Sequence, residues 1–401
     1  MTIDFQQVRE QVTRLGAEAP HLEQQRQDRF QLALAFFETF AADAEELCEK
    51  VKLVASQYEP SLRAARPVCT PETPPARLNA RYALPTSPEQ VTILAVDGSQ
   101  INYDRHAAVE YGLINIGAIR ISKNLAESPR VFTRSQLLYG DEIELRGGKL
   151  TEARLALRRD VYERRMLSAL AAEASPPVIT LTDGSMELWA TFEQTGEARS
   201  EFQASLREYL AVLDDLANQQ AITAGYVDKP SGALVVRLLE IASASQDQLA
   251  SIRDFQPLRG ITDRSIFETL LSPGDRSAIF ALQSRSSASY RDKHALHFFY
   301  LNTGRENRPV IARVDIPAWV AENNSSINTL QAELVAQCRA LGSQPYPYAL
   351  HRAHETALVT LEERQKVTDM IVLELGRHSI QAGKISGKQA VKDLGGRKRH
   401  R

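Results

Sequence analysis

A short apolar run ending in Asp-Gly-Ser occurs twice in this chain, as QVTILAVDGS at residues 90–99 and VITLTDGS at residues 178–185, with a strongly charged segment between them. Runs this short and this rich in β-branched residues read as strands buried on both faces. Strands that alternate with helical segments build layered α/β domains. A carboxylate at the carboxyl end of such a strand lies where α/β sheets place their sites. The glycine that follows lets the chain turn tightly or lets another group approach the backbone. Two such carboxylates on neighbouring strands would converge into the oxygen-rich site that a hard cation such as Mg²⁺ or Mn²⁺ needs. The plainer reading is that Asp-Gly is a common turn dipeptide. On the residues alone, both readings stand.

The rest of the chain reads as follows. Residues 1 to about 57 are mostly helical, with a break expected near Gly16 and Pro20. Phe30, Leu34, Phe37, Phe40, Ala44, Leu47, Val51 and Val54 recur at helical steps, and acidic residues fill much of the opposite face. Residues 58–88 carry Pro60, Pro67, Pro71, Pro74, Pro75, Pro85 and Pro88 and read as a linker or strapped loop. HAAVEYGLINIGAIRI supplies two β-rich runs joined near Gly117, and residues 150–174 form the charged helix, which Pro176-Pro177 ends. A long helix is expected around 197–218, then the strand AITAGYVD. ALVVRLLEIASA is ambiguous between strand and helix, and 242–293 is polar and irregular. HALHFFYLN and PVIARVDIP read as a strand pair, and the stretch from Ser326 onward as helical, followed by two consecutive helices from PYPYALHRAHETA.

Composition excludes several classes. A formal net charge of −2 over 401 residues argues against a coating protein for nucleic acid, though a local basic surface around an acidic metal site remains compatible with it. Cys48, Cys69 and Cys338 are far apart and in no CxxC spacing, so neither a disulfide framework nor a structural zinc site is expected. The first residues lack the pattern of a signal peptide, and no stretch approaches 18 apolar residues, so no membrane role and a cytoplasmic location are expected.

A third acid should come from the charged helix, with Glu163 and Glu152 as candidates. Arg158, Arg159, Arg164 and Arg165 around Glu163 would face phosphates or simply water. Asp315 offers a further acid at a rim, and His351 shares a helical face with His354. Residues 384–401 carry seven Lys or Arg against one Asp, a tail suited either to DNA backbone or to solvent.

The LAVDGS strand, the helical glutamate, the TDGS strand, the GYVDK segment at 225–229 and YPYALHRAHETA at 346–357 together resemble the NurA nucleases, over roughly residues 89–385. The resemblance implies a ribonuclease-H-like mixed-sheet α/β core with helices on its faces, here preceded by a helical N-terminal extension. It implies a homodimer that uses Mn²⁺ or Mg²⁺ in single-strand endonuclease and 5′-to-3′ exonuclease reactions on DNA. It further implies work in DNA end resection beside the hexameric ATPase HerA. Carried over, the metal carboxylates are Asp97, Glu163 and Asp183. Tyr226 or Lys229 supplies the aromatic or basic residue of the fourth motif, and His354 the final histidine, as metal ligand or proton carrier. Lys229 would hold a phosphate as a point charge, and Tyr226 would stack on a base, orient a phosphate or serve the strand. The expected organisation is a helical extension at 1–57, a Pro-rich linker at 58–88, a nuclease domain at 89–383 and the basic tail at 384–401. Two other readings compete: a catalytically weak protein that binds an ATPase motor, and a metal-dependent phosphohydrolase of small substrates.

Overall fold

The computed structural model describes residues 3–69, 75–104, 109–124, 127–145, 148–189, 196–342 and 344–380. The basic tail expected to meet DNA lies outside them. The chain forms two compact units, each made of two stretches: Met1–Ser87 with Gly225–Pro345, and Pro88–Ala224 with Tyr346–Arg401. No described helix is long and apolar enough to cross a membrane.

The second unit carries both Asp-Gly-Ser motifs. Its strands are β1 (Val91–Ile101), β2 (Gly112–Lys123), β3 (Arg130–Leu138) and β4 (Val178–Asp183), in the order β3-β2-β1-β4, with Ile222–Ala224 following β4. β1–β2 and β2–β3 are antiparallel and β1–β4 is parallel. This mixed order, with helices on the sheet, is the ribonuclease-H-like architecture that the resemblance implies. The helix α1 (Glu152–Ala171) starts where the Thr151 side chain accepts the Arg154 amide, and α2 (Gly196–Asn218) packs beside it. Two further helices return late in the chain, α3 (Tyr348–Ala357) and α4 (Leu361–Arg377).

The central strands are apolar on both sides because both sides are covered. Val91, Ile93, Leu94, Ala95 and Val96 are all buried, and a fully buried side chain of this kind contributes about 1.5–3 kcal/mol. Successive strand residues point to opposite faces. A Cβ on Gly98 would meet Glu163 of α1, whereas one on Gly117, the strand partner of Asp97, would meet the backbone of α3. So α1 covers one face and α3 the other. β2 runs unbroken through Gly117, where sequence suggested two runs; the glycine marks the approach of a helix and not a bend.

The first unit is an antiparallel sheet in the order Ala64–Pro67, Phe280–Gln283, Leu296–Asn302, Ile311–Pro317 and Gly225–Val227. The last two long strands are the expected pair. Residues 58–88, read as a linker, contribute the strand Ala64–Pro67 and the buried side chains Leu62, Ala64, Ala65 and Leu78. Pro67 closes this edge strand, a position that tolerates a missing amide. The ambiguous segment is a helix, Leu234–Ser243. At the N-terminus one helix spans Phe5–Thr39 without a break at Gly16 or Pro20. Proline removes one bond of the helical ladder, and the turns on either side keep theirs. The break comes later, at residues 40–43, before the helix Ala44–Leu53. Phe37 meets Phe267 edge to face with ring centroids 5.8 Å apart, and Phe267 stacks on Tyr300 at 4.4 Å.

Candidate active site

Asp97 does not end its strand. β1 continues through Gly98 and Ser99 to Ile101, paired with β2 throughout, so the first Asp-Gly-Ser is strand and not turn. The side chain of Asp97 points to the α3 face. Its Oδ2 lies 2.6 Å from Nδ1 of His354, and its Oδ1 accepts its neighbour's amide, Gly98 N, at 2.8 Å. Local chemistry fixes that register. Ser99 donates its hydroxyl to the carbonyl of Ala357, the last residue of α3, and Asn115 on β2 donates to the same oxygen at 2.8 Å. One carbonyl thus anchors α3 to both strands beneath the histidine.

On the opposite face, Glu163 comes against the backbone beside Asp97. An ideal Cβ on Gly98 would stand 2.6 Å from Glu163 Oε1 and 2.7 Å from Cγ of Arg159. Only a residue without a side chain leaves room for them. Asp160, one helical turn before Glu163, shares its face. Arg159 lies over both acids, with Nε 3.4 Å from Glu163 Oε1 and Nη2 3.1 Å from Asp160 Oδ1, and it also donates to Gln100 at 3.5 Å. Burial pushes the Glu163 carboxyl up to about 8, with the Asp160 charge adding to the effect and Arg159 opposing it. Burial likewise raises Asp160 above the usual carboxylate range, against the pull of Arg159. Carboxyls crowded in this way hold a proton until positive charge displaces it.

Asp183 is the last residue of β4 and is exposed. Val96 pairs with Thr182, so Asp183 stands level with Asp97 on the adjacent parallel strand and on the same face. Gly184, at φ +89°, turns the chain away after it. Here the Asp-Gly pair is both strand end and turn, as each sequence reading required.

Glu152 opens α1, eleven residues from Glu163, about 16 Å along the axis. It is Glu163 that reaches the first Asp-Gly-Ser. Arg158 serves Glu201 and the carbonyl of Glu142, Arg164 is buried against Tyr209, and Arg165 pairs with Glu208 at 2.5 Å. Of the four arginines, Arg159 contacts both acids, while the Arg164 charge also acts on them from beside Tyr209. His351 lies 3.5 Å from Glu355. Tyr226, Lys229 and Asp315 belong to the other unit. Tyr226 is fully buried with its hydroxyl 3.8 Å from Cys338 Sγ, so it has no ring face for a base and is a core residue. Lys229 is exposed, 4.0 Å from Asp228. Asp315 is buried with Arg313, which donates to it at 2.7 and 3.1 Å. Asp160 was missed by sequence reasoning, although its three-residue step to Glu163 was a signal.

Among the described residues, no three His, Cys, Asp or Glu side chains are gathered closely enough to hold a metal ion as they stand. The donor set is nonetheless of the right kind, since carboxylate oxygens are the ligands that Mg²⁺ and Mn²⁺ prefer. Gly98 clears the space at which Glu163 meets the Asp97 backbone.

The model of the NurA domain matches residues 91–359, more than half of the chain. The chain belongs to the NurA family. The NurA match begins at β1 and ends two residues after α3, and so takes in Asp97, Glu163, Asp183 and His354. Membership supports a nuclease role in general terms. Among solved structures, the NurA nuclease from Sulfolobus solfataricus is 13% identical, with 75% of this chain and 88% of that one covered and a TM-score of 0.45. A second NurA structure is 10% identical over 72% and 90%, with a TM-score of 0.41. The catalytic domain of human Endonuclease V is 13% identical over 70% and 83%, with a TM-score of 0.29. No curated protein matches the chain.

Proposed function

We propose that this chain is a metal-dependent DNA nuclease that hydrolyses phosphodiester bonds at DNA ends, with Mn²⁺ or Mg²⁺ held by Asp97, Glu163 and Asp183. The observation that carries this reading is the packing at Gly98. A strand glycine with no room for a Cβ brings a helical glutamate against the backbone of the aspartate that precedes it, and that aspartate bonds a histidine on its other side. Behind burial and the Asp160 charge, and against Arg159, the Asp97 charge also helps to raise the Glu163 carboxyl, so the acids on either side of this dipeptide act on one another.

The bound metal would lower the pKa of an attacking water and neutralise charge on the phosphoryl oxygens. His354, through Nδ1, orients Asp97 and leaves Nε2 to carry a proton to or from the reacting oxygens. Arg159 neutralises Glu163 and Asp160 when no other cation does. Once released from them, its guanidinium would meet a phosphate bidentately. Lys229, exposed on its own unit, would contact DNA backbone as a point charge. The reading includes single-strand endonuclease and 5′-to-3′ exonuclease activity, action as a homodimer beside a HerA-type hexameric ATPase, and a cytoplasmic setting in DNA end resection.

The test is cleavage of end-labelled single- and double-stranded DNA with Mn²⁺, Mg²⁺ or EDTA, beside Asp97→Asn and a small phosphodiester. Metal-dependent cleavage of DNA, reduced roughly 100-fold or more in the variant, is expected. Cleavage of the small ester with DNA left intact would transfer the site to small substrates. No hydrolysis by a folded chain, with or without the ATPase, would remove the enzyme reading.

A further inference from the structure

The first half of the N-terminal helix touches almost nothing. Of the 35 residues from Phe5 to Thr39, the buried ones are Ala33 and Phe37, near its end. Residues 5–24 are all exposed. An isolated helical stretch draws most of its stability from packing an apolar face, and this one contains Gly16 and Pro20, the two residue types least favourable in a helix interior.

Its apolar residues are nevertheless placed with care. Phe5, Val8, Val12, Leu15, Ala19 and Leu22 follow one another at steps of 3, 4, 3, 4 and 3 residues. That is the a/d seam of a coiled coil over two and a half heptads. Phe5 is 62% exposed, Val12 59%, Leu15 60% and Leu22 50%. The family domain begins only at residue 91, so the seam is an addition to it.

We propose that this seam pairs with the same seam of a second copy of the chain, the two helices running antiparallel. In that arrangement each a residue faces a d residue of the other helix. Phe5 lies against Leu22, Val8 against Ala19 and Val12 against Leu15, each layer occurring twice about a two-fold axis between Thr13 and Arg14. The flanking charges select both direction and partner. In a parallel pair, Glu18 at a g position faces Glu23 at the next e position of the other helix, a like-charge contact. In the antiparallel pair the e flanks meet, so Arg9 lies on the side of Glu23 of the second copy, again twice. Glu23 pairs with Arg26 in the single chain and would be shared between the two arginines. The contact spans about 26 Å and removes on the order of 1,000 Å² from water, the lower end for a specific interface. That suits a reversible pair of otherwise folded chains.

The experiment uses the full chain. Sedimentation equilibrium compares it with Leu15→Glu, and cysteine cross-linking fixes the direction. Leu15→Glu should weaken self-association roughly tenfold or more without changing the melting temperature, because the seam lies outside the core. A mixture of Val12→Cys and Leu15→Cys chains should form an inter-chain disulfide, whereas Val12→Cys alone should not. The seam rests on the homodimer proposed above: a monomer at concentrations on the order of 100 µM would overturn both, whereas a dimer that ignores Leu15→Glu, or cross-linking of Val12→Cys with itself, would overturn the seam alone. So would a seam that pairs only with a different protein.

Discussion

Gly98 and Gly117 lie on neighbouring strands and both lack room for a methyl group, but what crowds them differs. At Gly98 the obstacles are Glu163 Oε1 at 2.6 Å and the Cγ and Cδ of Arg159 at 2.7 and 2.8 Å, ends and stems of flexible side chains. At Gly117 they are the Ala357 amide nitrogen at 2.4 Å, the Thr356 carbonyl carbon at 2.7 Å and the Ala353 oxygen at 2.8 Å, all backbone of α3. Side chains can swing aside; a helix backbone anchored to two strands cannot. Gly98→Ala should therefore keep stability within about 1 kcal/mol while metal-dependent cleavage falls roughly 100-fold, because Glu163 is displaced. Gly117→Ala should lose roughly 3 kcal/mol, and with it the placement of His354. Urea denaturation beside a cleavage assay separates them, and equal loss of stability in both variants would contradict the distinction. At this scale Asp97 and His354 stand out in the sequence because they sit in short motifs, whereas Glu163 is one of two candidate glutamates until the packing at Gly98 separates them. The sequence is silent on Arg159 as the cation bonded to both acids, since five arginines crowd one helix and only tertiary packing engages Arg154, Arg158, Arg164 and Arg165 with other groups.

The helix Leu234–Ser243 shows why some elements resist reading. Nearly all of its side chains are buried, from Leu234 through Ala242. Its two charged residues, Arg237 and Glu240, stand one turn apart but are themselves covered, so the short run LVVRLLEIA lacks the long exposed stripe that marks a surface helix. Its start is also set from a distance. Asp263, 29 residues away in a segment that reads as irregular, accepts the amides of Leu234 at 2.7 Å, Val235 at 3.0 Å and Val236 at 2.8 Å. The Tyr300 hydroxyl donates to the same carboxyl group. Four donors rest on one buried side chain, so Asp263→Ala should cost about 3–5 kcal/mol, whereas Tyr300→Phe, which removes one donor and leaves the helix cap intact, should cost about 1 kcal/mol. Thermal and urea unfolding would measure both. A mild Asp263→Ala phenotype would mean that water replaces the cap.

Boundaries drawn along the chain follow composition, and this molecule is divided otherwise. The N-terminal residues to Ser87 form one compact unit with Gly225–Pro345, while the family match starts at residue 91 and runs through both units. Such pairings join residues at least 192 positions apart, and no local pattern announces them. Ala64–Pro67 pairs with Phe280–Gln283, Lys50 Nζ donates to the carbonyls of Ala242 and Ala244 at 2.9 Å each, and Phe37 lies against Phe267. A fragment cut at the family boundary therefore removes one edge of a sheet, the cap on a helix end and part of an aromatic core at once. Each exposed apolar group would cost about 1.5–3 kcal/mol, against a total stability of about 5–15 kcal/mol for a domain. A fragment starting at residue 88 should lack a cooperative melt for the unit built on 225–345, even if DNA or metal is supplied. Deletion of residues 3–28 should leave that melt in place, since this part of the helix buries nothing in its own chain. Circular dichroism melts and limited proteolysis of the two truncations decide the matter. A fragment from 88 that melts as sharply as the full chain would mean that the first 87 residues ride on a unit already complete without them.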